Sequence, residues 1–353
     1  MRCQPWPCAG HPRAITTDAQ DADAGHKPDP VGRACAETAG GTSMAGNARG
    51  MIAVDKIGTK ILFLDPRTYL IETVLDGFQK TVHELLVIPE TGRAYVPIFG
   101  DGIHGRNPNP GHTLLVIDCL ARKHIATIDL APLSAPHTLR LGAQGLIYIT
   151  CENSAKVAVI DPKTNAVIDA VDSGSTNGHR LCIPDDGRRL YTDNEEDATV
   201  SVIDVPNRKL LGKIATPEKL AGIAVSADGK TVVAVSDDSP VVFAIDTEAG
   251  KVVRTVPLEG VEKAAQIARY SPDGKLLIVS SLNSNKISII DAATFGNQSA
   301  ISVGSQPMDF AFKGDELFVG CQGDGTMHII DLPGRRNTGH VKAGSGCESI
   351  GFF

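Results

Sequence analysis

Aromatic residues make up only 5% of this 353-residue sequence, and Trp6 is its single tryptophan. An aromatic-rich core is therefore excluded, and the interior must be built mainly from Val, Ile, Leu and Ala. The eight cysteines, at 3, 8, 35, 119, 151, 182, 321 and 347, form no CxxC pair, which argues against finger-type structural zinc; a c-type haem motif is also missing. Cys151, Cys182 and Cys321 sit in or beside strand patterns and read as small buried apolar residues. No apolar run reaches 18 residues, so neither a membrane span nor a membrane partner is expected. The N-terminus lacks the apolar core of a secretory signal, which points to a cytoplasmic setting. Basic excess is also missing: 34 Lys and Arg face 41 Asp and Glu, for a net charge of −7. That balance argues against a nucleic-acid partner, because gripping a phosphate backbone needs a basic face. There is no GxGxxG after a strand, no P-loop, no GxSxG elbow and no HExxH. Nucleotide-driven chemistry and α/β-type serine hydrolysis are set aside accordingly.

What the chain does have is a repeat. A short β-branched or aliphatic run ends in Leu64-Asp65, Ile117-Asp118, Ile160-Asp161, Ile203-Asp204, Ile245-Asp246, Ile290-Asp291 and Ile330-Asp331. The successive intervals are 53, 43, 43, 42, 45 and 40 residues. A period of about 40–45 residues with room for four short strands is the mark of a β-propeller. Seven copies predict seven blades: an all-β, seven-bladed β-propeller with four antiparallel strands per blade. Each repeated Asp is expected to accept hydrogen bonds from the turn that follows it.

Residues 1–48 are rich in Pro, Gly, Ala, Asp and Thr, show no apolar periodicity, and read as a disordered extension; the propeller domain is expected over 49–353. The first repeat supplies only three strands, Met51–Asp55, Lys60–Asp65 and Leu70–Leu75. Glu348–Phe353 is the missing inner strand, so the C-terminal segment should pair beside the N-terminal one and close the ring.

Ser271-Pro-Asp-Gly-Lys-Leu-Leu-Ile-Val, Arg189-Leu-Tyr-Thr-Asp-Asn and Thr199-Val-Ser-Val-Ile-Asp resemble the YVTN-type β-propeller repeat, and the resemblance covers residues 51–353. It implies the propeller fold. Function it leaves open, because similar propellers serve as binding modules, lactonases, lyases and cofactor scaffolds.

In a propeller the inner strand of each blade lines the central channel. Register on the turn glycines, extended by Phe312 and Phe352, places Glu348, Glu84, His137, His179, Ala221, Gln266 and Met308 in a ring at the channel mouth. Four consecutive blades would then supply Glu, Glu, His, His. Carboxylates and imidazoles converging in this way suit a divalent ion such as Zn, Mn or Fe, or acid–base work. His137, His179, Glu84 and Glu348 are thus the candidate metal ligands and catalytic groups. A shift of one residue replaces Glu84 by His83, giving three histidines, an arrangement that resembles the tri-histidine centres of some propeller lyases.

The loop Phe99–His112 is the longest insertion and accounts for the 53-residue interval. It is expected to overhang the mouth, with His104, Arg106 and His112 reaching a substrate. Gln266, Asn194, Glu195 and, in the first register, His83 complete the expected substrate-binding set. The expected activity is lyase, isomerase or lactonase-like hydrolase chemistry on a small oxygenated molecule. The alternative is a non-catalytic propeller that binds a ligand or protein. Oligomeric state is not legible.

Overall fold

The computed structural model describes residues 48–78, 81–102, 107–176 and 178–353. Residues 1–47 of the expected extension, and with them Cys3, Cys8 and Cys35, lie outside the described residues, as do His104 and Arg106.

The described residues form seven four-stranded antiparallel sheets, with no α-helix among them. Six sheets take four consecutive strands each. Blade one is assembled from both ends of the fold, in the order Cys347–Phe352, Met51–Asp55, Lys60–Leu64, Ile71–Leu75. Met51 pairs with Phe352, Ala53 with Ile350 and Asp55 with Cys347, so the C-terminal strand closes the ring beside the N-terminal one, as expected. Phe353 completes the seam: its backbone carbonyl accepts from Arg49 and Gly50, and its ring lies edge-on to Phe63, centroids 6.0 Å apart.

The repeated Asp serves the same purpose in every blade. The side chains of Asp65, Asp118, Asp161, Asp204, Asp246, Asp291 and Asp331 each accept a backbone N–H from the next turn. A short carboxylate thereby pins each hairpin between the third and fourth strands, which explains its recurrence with the repeat.

The core lies between neighbouring blades. Ile52, Val54, Ile61 and Phe63 of blade one interdigitate with Val82, Ala94, Val96 and Leu115 of blade two, all nearly or fully buried. The outer strands are largely exposed, as in Lys209–Ala215, where Ile214 alone is buried, because one of their faces meets solvent. Cys119, Cys151, Cys182, Cys321 and Cys347 are buried free thiols that pack as small apolar side chains. No helix of the described residues is long and apolar enough to cross a membrane.

A bulge repeats at the head of several inner strands. Pro136 pairs with Cys151 and Leu139 with Ile149, so blade three carries one extra residue across His137-Thr138. The same slip spans His179-Arg180 in blade four and Met308-Asp309 in blade seven. Strict alternation would send successive side chains to opposite faces; the bulge breaks it and re-aims the pair. In blade five the residues at this position are small. Gly222 lies so close to blade six that a Cβ there would sit 2.3 Å from the Gln266 carbonyl oxygen.

Candidate metal centre at the channel mouth

Three histidines converge where the inner strands of blades two, three and four begin. His83, His137 and His179 are 3%, 3% and 4% exposed. The ring centroids of His83 and His137 are 4.2 Å apart, and those of His137 and His179 4.3 Å. His83 Nε2 lies 2.6 Å from His137 Nε2.

Hydrogen bonds behind the rings fix which nitrogens face one another. His83 Nδ1 is 2.6 Å from Glu348 Oε2, and Glu348 Oε1 accepts from Lys56 Nζ at 2.9 Å. Burial alone would raise the Glu348 pKa, but the charges of His83 and Lys56 and their hydrogen bonds outweigh it and hold the group at about 2. An ionised carboxylate only accepts, so His83 Nδ1 carries a proton. On the next blade His137 Nδ1 is 3.1 Å from Thr138 Oγ1, which donates its one proton to Glu84 Oε1 at 2.8 Å. Thr138 must therefore accept from His137 Nδ1. With both Nδ1 atoms engaged behind the rings, the two Nε2 atoms face one another, sharing one proton in a hydrogen bond or offering the place to a cation. Burial, and then the neighbouring His83 and His179, drive the His137 pKa well below its usual value, so a proton is disfavoured there.

Carboxylates surround the same point. Glu152 Oε1 is 3.9 Å from His137 Nε2, and the side chain is 2% exposed. His137, Glu152 and His179 offer ligand atoms that all lie within 4.8 Å of one another. His179 Nδ1 lies 3.6 Å from both Asp193 and Glu195. Glu152 and Glu195 each open a 3-10 turn after the second strand of their blades, Glu152–Ser154 and Glu195–Asp197. Glu152 was not in the sequence-derived set. Its one signal is this match to Glu195 in the two blades whose inner strands carry His at the mouth.

The ring register differs from the first expectation at blade two. His83, not Glu84, shares the level of His137 and His179. Val82 bridges to Ile98 and the His83 N–H donates to Pro97, after which Glu84 turns at a left-handed φ of 37°. That turn drops Glu84 one level down the channel, where Arg180 and Thr138 engage its carboxylate. Burial would raise its pKa, but Arg180 and Arg140 pull it below normal, so Glu84 is an ionised partner of Arg180. His83 takes the place beside His137 that the first register gave to Glu84. Glu348 is at the mouth as expected, with its carboxylate turned to His83 and Lys56.

The remaining expected residues separate. The Asn194 amide is buried and donates to Thr199 and Ser201 of its own blade. The Gln266 backbone N–H is tied to Ser280, and its side chain is only partly exposed. His112 stands apart with Asp129, 2.8 Å away, and lines a cavity of about 560 Å³ together with Phe78, Ile98, Asp101 and Asn109.

The profile of the cytochrome D1 heme domain family matches residues 141–321. No curated protein matches the sequence. Among solved structures, hydrazine synthase of Kuenenia stuttgartiensis superposes with a TM-score of 0.61 at 18% identity, over 76% of this chain and 89% of that one. At that identity the likeness shows a shared fold. The family match supports a seven-bladed propeller, without reaching the YVTN-type label that the sequence suggested.

Proposed function

The chain belongs to the cytochrome D1 heme domain family, and from that premise and the facing Nε2 atoms of His83 and His137 we propose that it is a propeller enzyme with one divalent metal ion at the channel mouth. Haem does not fit there. A macrocycle needs a flat slot with a donor above or below its plane. Here three rings from adjacent blades pack against each other, and Phe99 lies edge-on to His83 and His137 at 5.3 and 5.4 Å. That crowding suits a single ion.

His83, His137 and His179 would hold the ion, with Glu152 as the nearest buried carboxylate. Two imidazole ligands of a tetrahedral zinc lie about 3.3 Å apart, given Zn–N bonds of about 2.0–2.1 Å. The 2.6 Å separation of Nε2 atoms therefore has to widen by about 0.7 Å. When bound, such an ion acidifies a coordinated water or polarises a carbonyl. Glu348 keeps His83 in the donating tautomer and strengthens it as a base, the usual office of a carboxylate behind a metal-bound histidine. Thr138 and Glu84 do the same for His137. Glu152, facing the same point, would accept and return a proton on a small oxygenated substrate, consistent with lyase, isomerase or lactonase-like hydrolase chemistry.

The reading is carried by the facing Nε2 atoms: with both Nδ1 atoms donating behind the rings, a metal cation can take the place of the proton between them. Elemental analysis of the purified full chain tests it. About one equivalent of a divalent metal in the wild type, lost in H137A with the melting transition retained, supports the site. Metal-free protein that takes up no added zinc, manganese or iron contradicts it. A second reading, a ligand-binding propeller without catalysis, draws on the near-complete burial of the trio; it predicts the same metal with no turnover.

A further inference from the structure

Below the histidines the channel carries three arginines from inner strands: Arg140 of blade three, Arg180 of blade four and Arg269 of blade six. Two have carboxylate partners. Arg180 reaches Glu84 of blade two, and Arg269 grips Asp309 of blade seven through two parallel bonds of 2.6 and 2.9 Å. Arg140 has none: no carboxylate of the described residues lies within ion-pair distance, and its guanidinium donates to the Leu139 carbonyl alone, at 2.8 Å. The charges acting on it belong to Arg269, Glu84, Asp309 and Arg180, on four other blades, which places its head group over the axis. Burial, then the Arg269 charge, pull its pKa down to about 10, more than the distant Glu84 and Asp309 carboxylates offset. Arg140 is nonetheless partly exposed, and the Arg269 side chain is 24% exposed, so both side chains are reachable from water.

We propose that the axial channel beside Arg140 is a binding site for a compact planar oxyanion, such as a carboxylate end group of formate size. A guanidinium presents a fork of parallel donors that matches a carboxylate bidentately, and Arg140 holds most of its donors uncommitted. Neighbouring Arg269 adds positive field, while Glu84 and Asp309, each already engaged, set a limit of low anion charge. The site does not depend on metal at the mouth.

The test is thermal melting of chelator-treated full chain against sodium formate, with ionic strength held constant by a bulky sulfonate. A ligand that binds only the folded state raises the transition with concentration. The wild-type Tm is expected to rise by a few degrees between 1 and 100 mM formate. R140M should lose that rise and melt higher than wild type in the formate-free buffer, since its uncompensated charge is gone; R140K should keep a weaker rise. Should R140M fail to fold, broadening of the formate ¹³C resonance by wild-type protein, relieved by unlabelled acetate, reads the same site. A wild-type Tm indifferent to formate, an equal rise in R140M, or an equal rise with chloride would each overturn the assignment.

Discussion

His83 and His137 meet Nε2 to Nε2 at 2.6 Å, each held from behind by a carboxylate system: Glu348 for the first, Thr138 and Glu84 for the second. The pairing ties metal affinity to residues that need not touch the metal. In E348Q a neutral amide, able to donate as well as accept, replaces the ionised acceptor, and His83 loses the charge that holds its tautomer. Metal affinity should fall about 10- to 100-fold while the three imidazoles remain. Competition with a chromophoric chelator measures this, and unchanged affinity would remove Glu348 from the account.

The relay behind His137 can be cut separately. T138V keeps side-chain volume but cannot accept from His137 Nδ1 or donate to Glu84. Affinity for zinc should drop about 10-fold or more. The Glu84–Arg180 ion pair stays intact, so its Tm should change little beyond the loss of two buried hydrogen bonds, about 1–3 kcal/mol. A large loss of stability with wild-type affinity would mark Thr138 as structural only.

Acid should weaken the metal-free fold through His137. Its pKa is lowered on folding, so the unfolded chain binds the proton more readily. The stability contributed by neutral His137 is present above the unfolded value near 6.5 and is lost as pH falls below it. One such proton gives a slope of at most about 1.4 kcal/mol per pH unit. Urea unfolding of chelator-treated protein between pH 7.5 and 5.5 should show a slope of that sign, reduced in H137Q. Glu348 acts in the same direction lower down, its contribution fading from pH 4.5 toward 2.

Ring closure rests on the last inner strand and the aromatic after it. Phe353 is 2% exposed and packs against Gly50 and Phe63. F353A should cost about 3–5 kcal/mol, as large-to-small changes at buried aromatics do. A change under 1 kcal/mol, read by denaturant unfolding, would mean that the seam contributes little.

The architecture was legible because the Ile-Asp pairs mark a turn that every blade needs, and their spacing survives differences in loop length. His137 and His179 were legible too, since a turn glycine follows each inner strand at a constant offset. Blade two was not. Its inner strand is reduced to Leu86–Ile88, and the left-handed turn at Glu84 has no signature in a non-glycine residue. The bulges hid a second layer: Arg180 and Asp309 follow His179 and Met308 directly, and alternation would send them away from the axis. A charged residue set among apolar ones, as in His179-Arg180-Leu181 or Met308-Asp309-Phe310, is the trace they leave, because a blade buried on both faces has no other place for it.

Cobalt(II) titration of chelator-treated protein tests the central claim most directly, since its visible bands report imidazole ligation in a low-symmetry site. One equivalent should bind with intense d–d absorption that is lost in H83A, H137A and H179A alike. No uptake, or bands that persist when His83 and His137 are both replaced, would contradict a metal centre at the point where their Nε2 atoms meet.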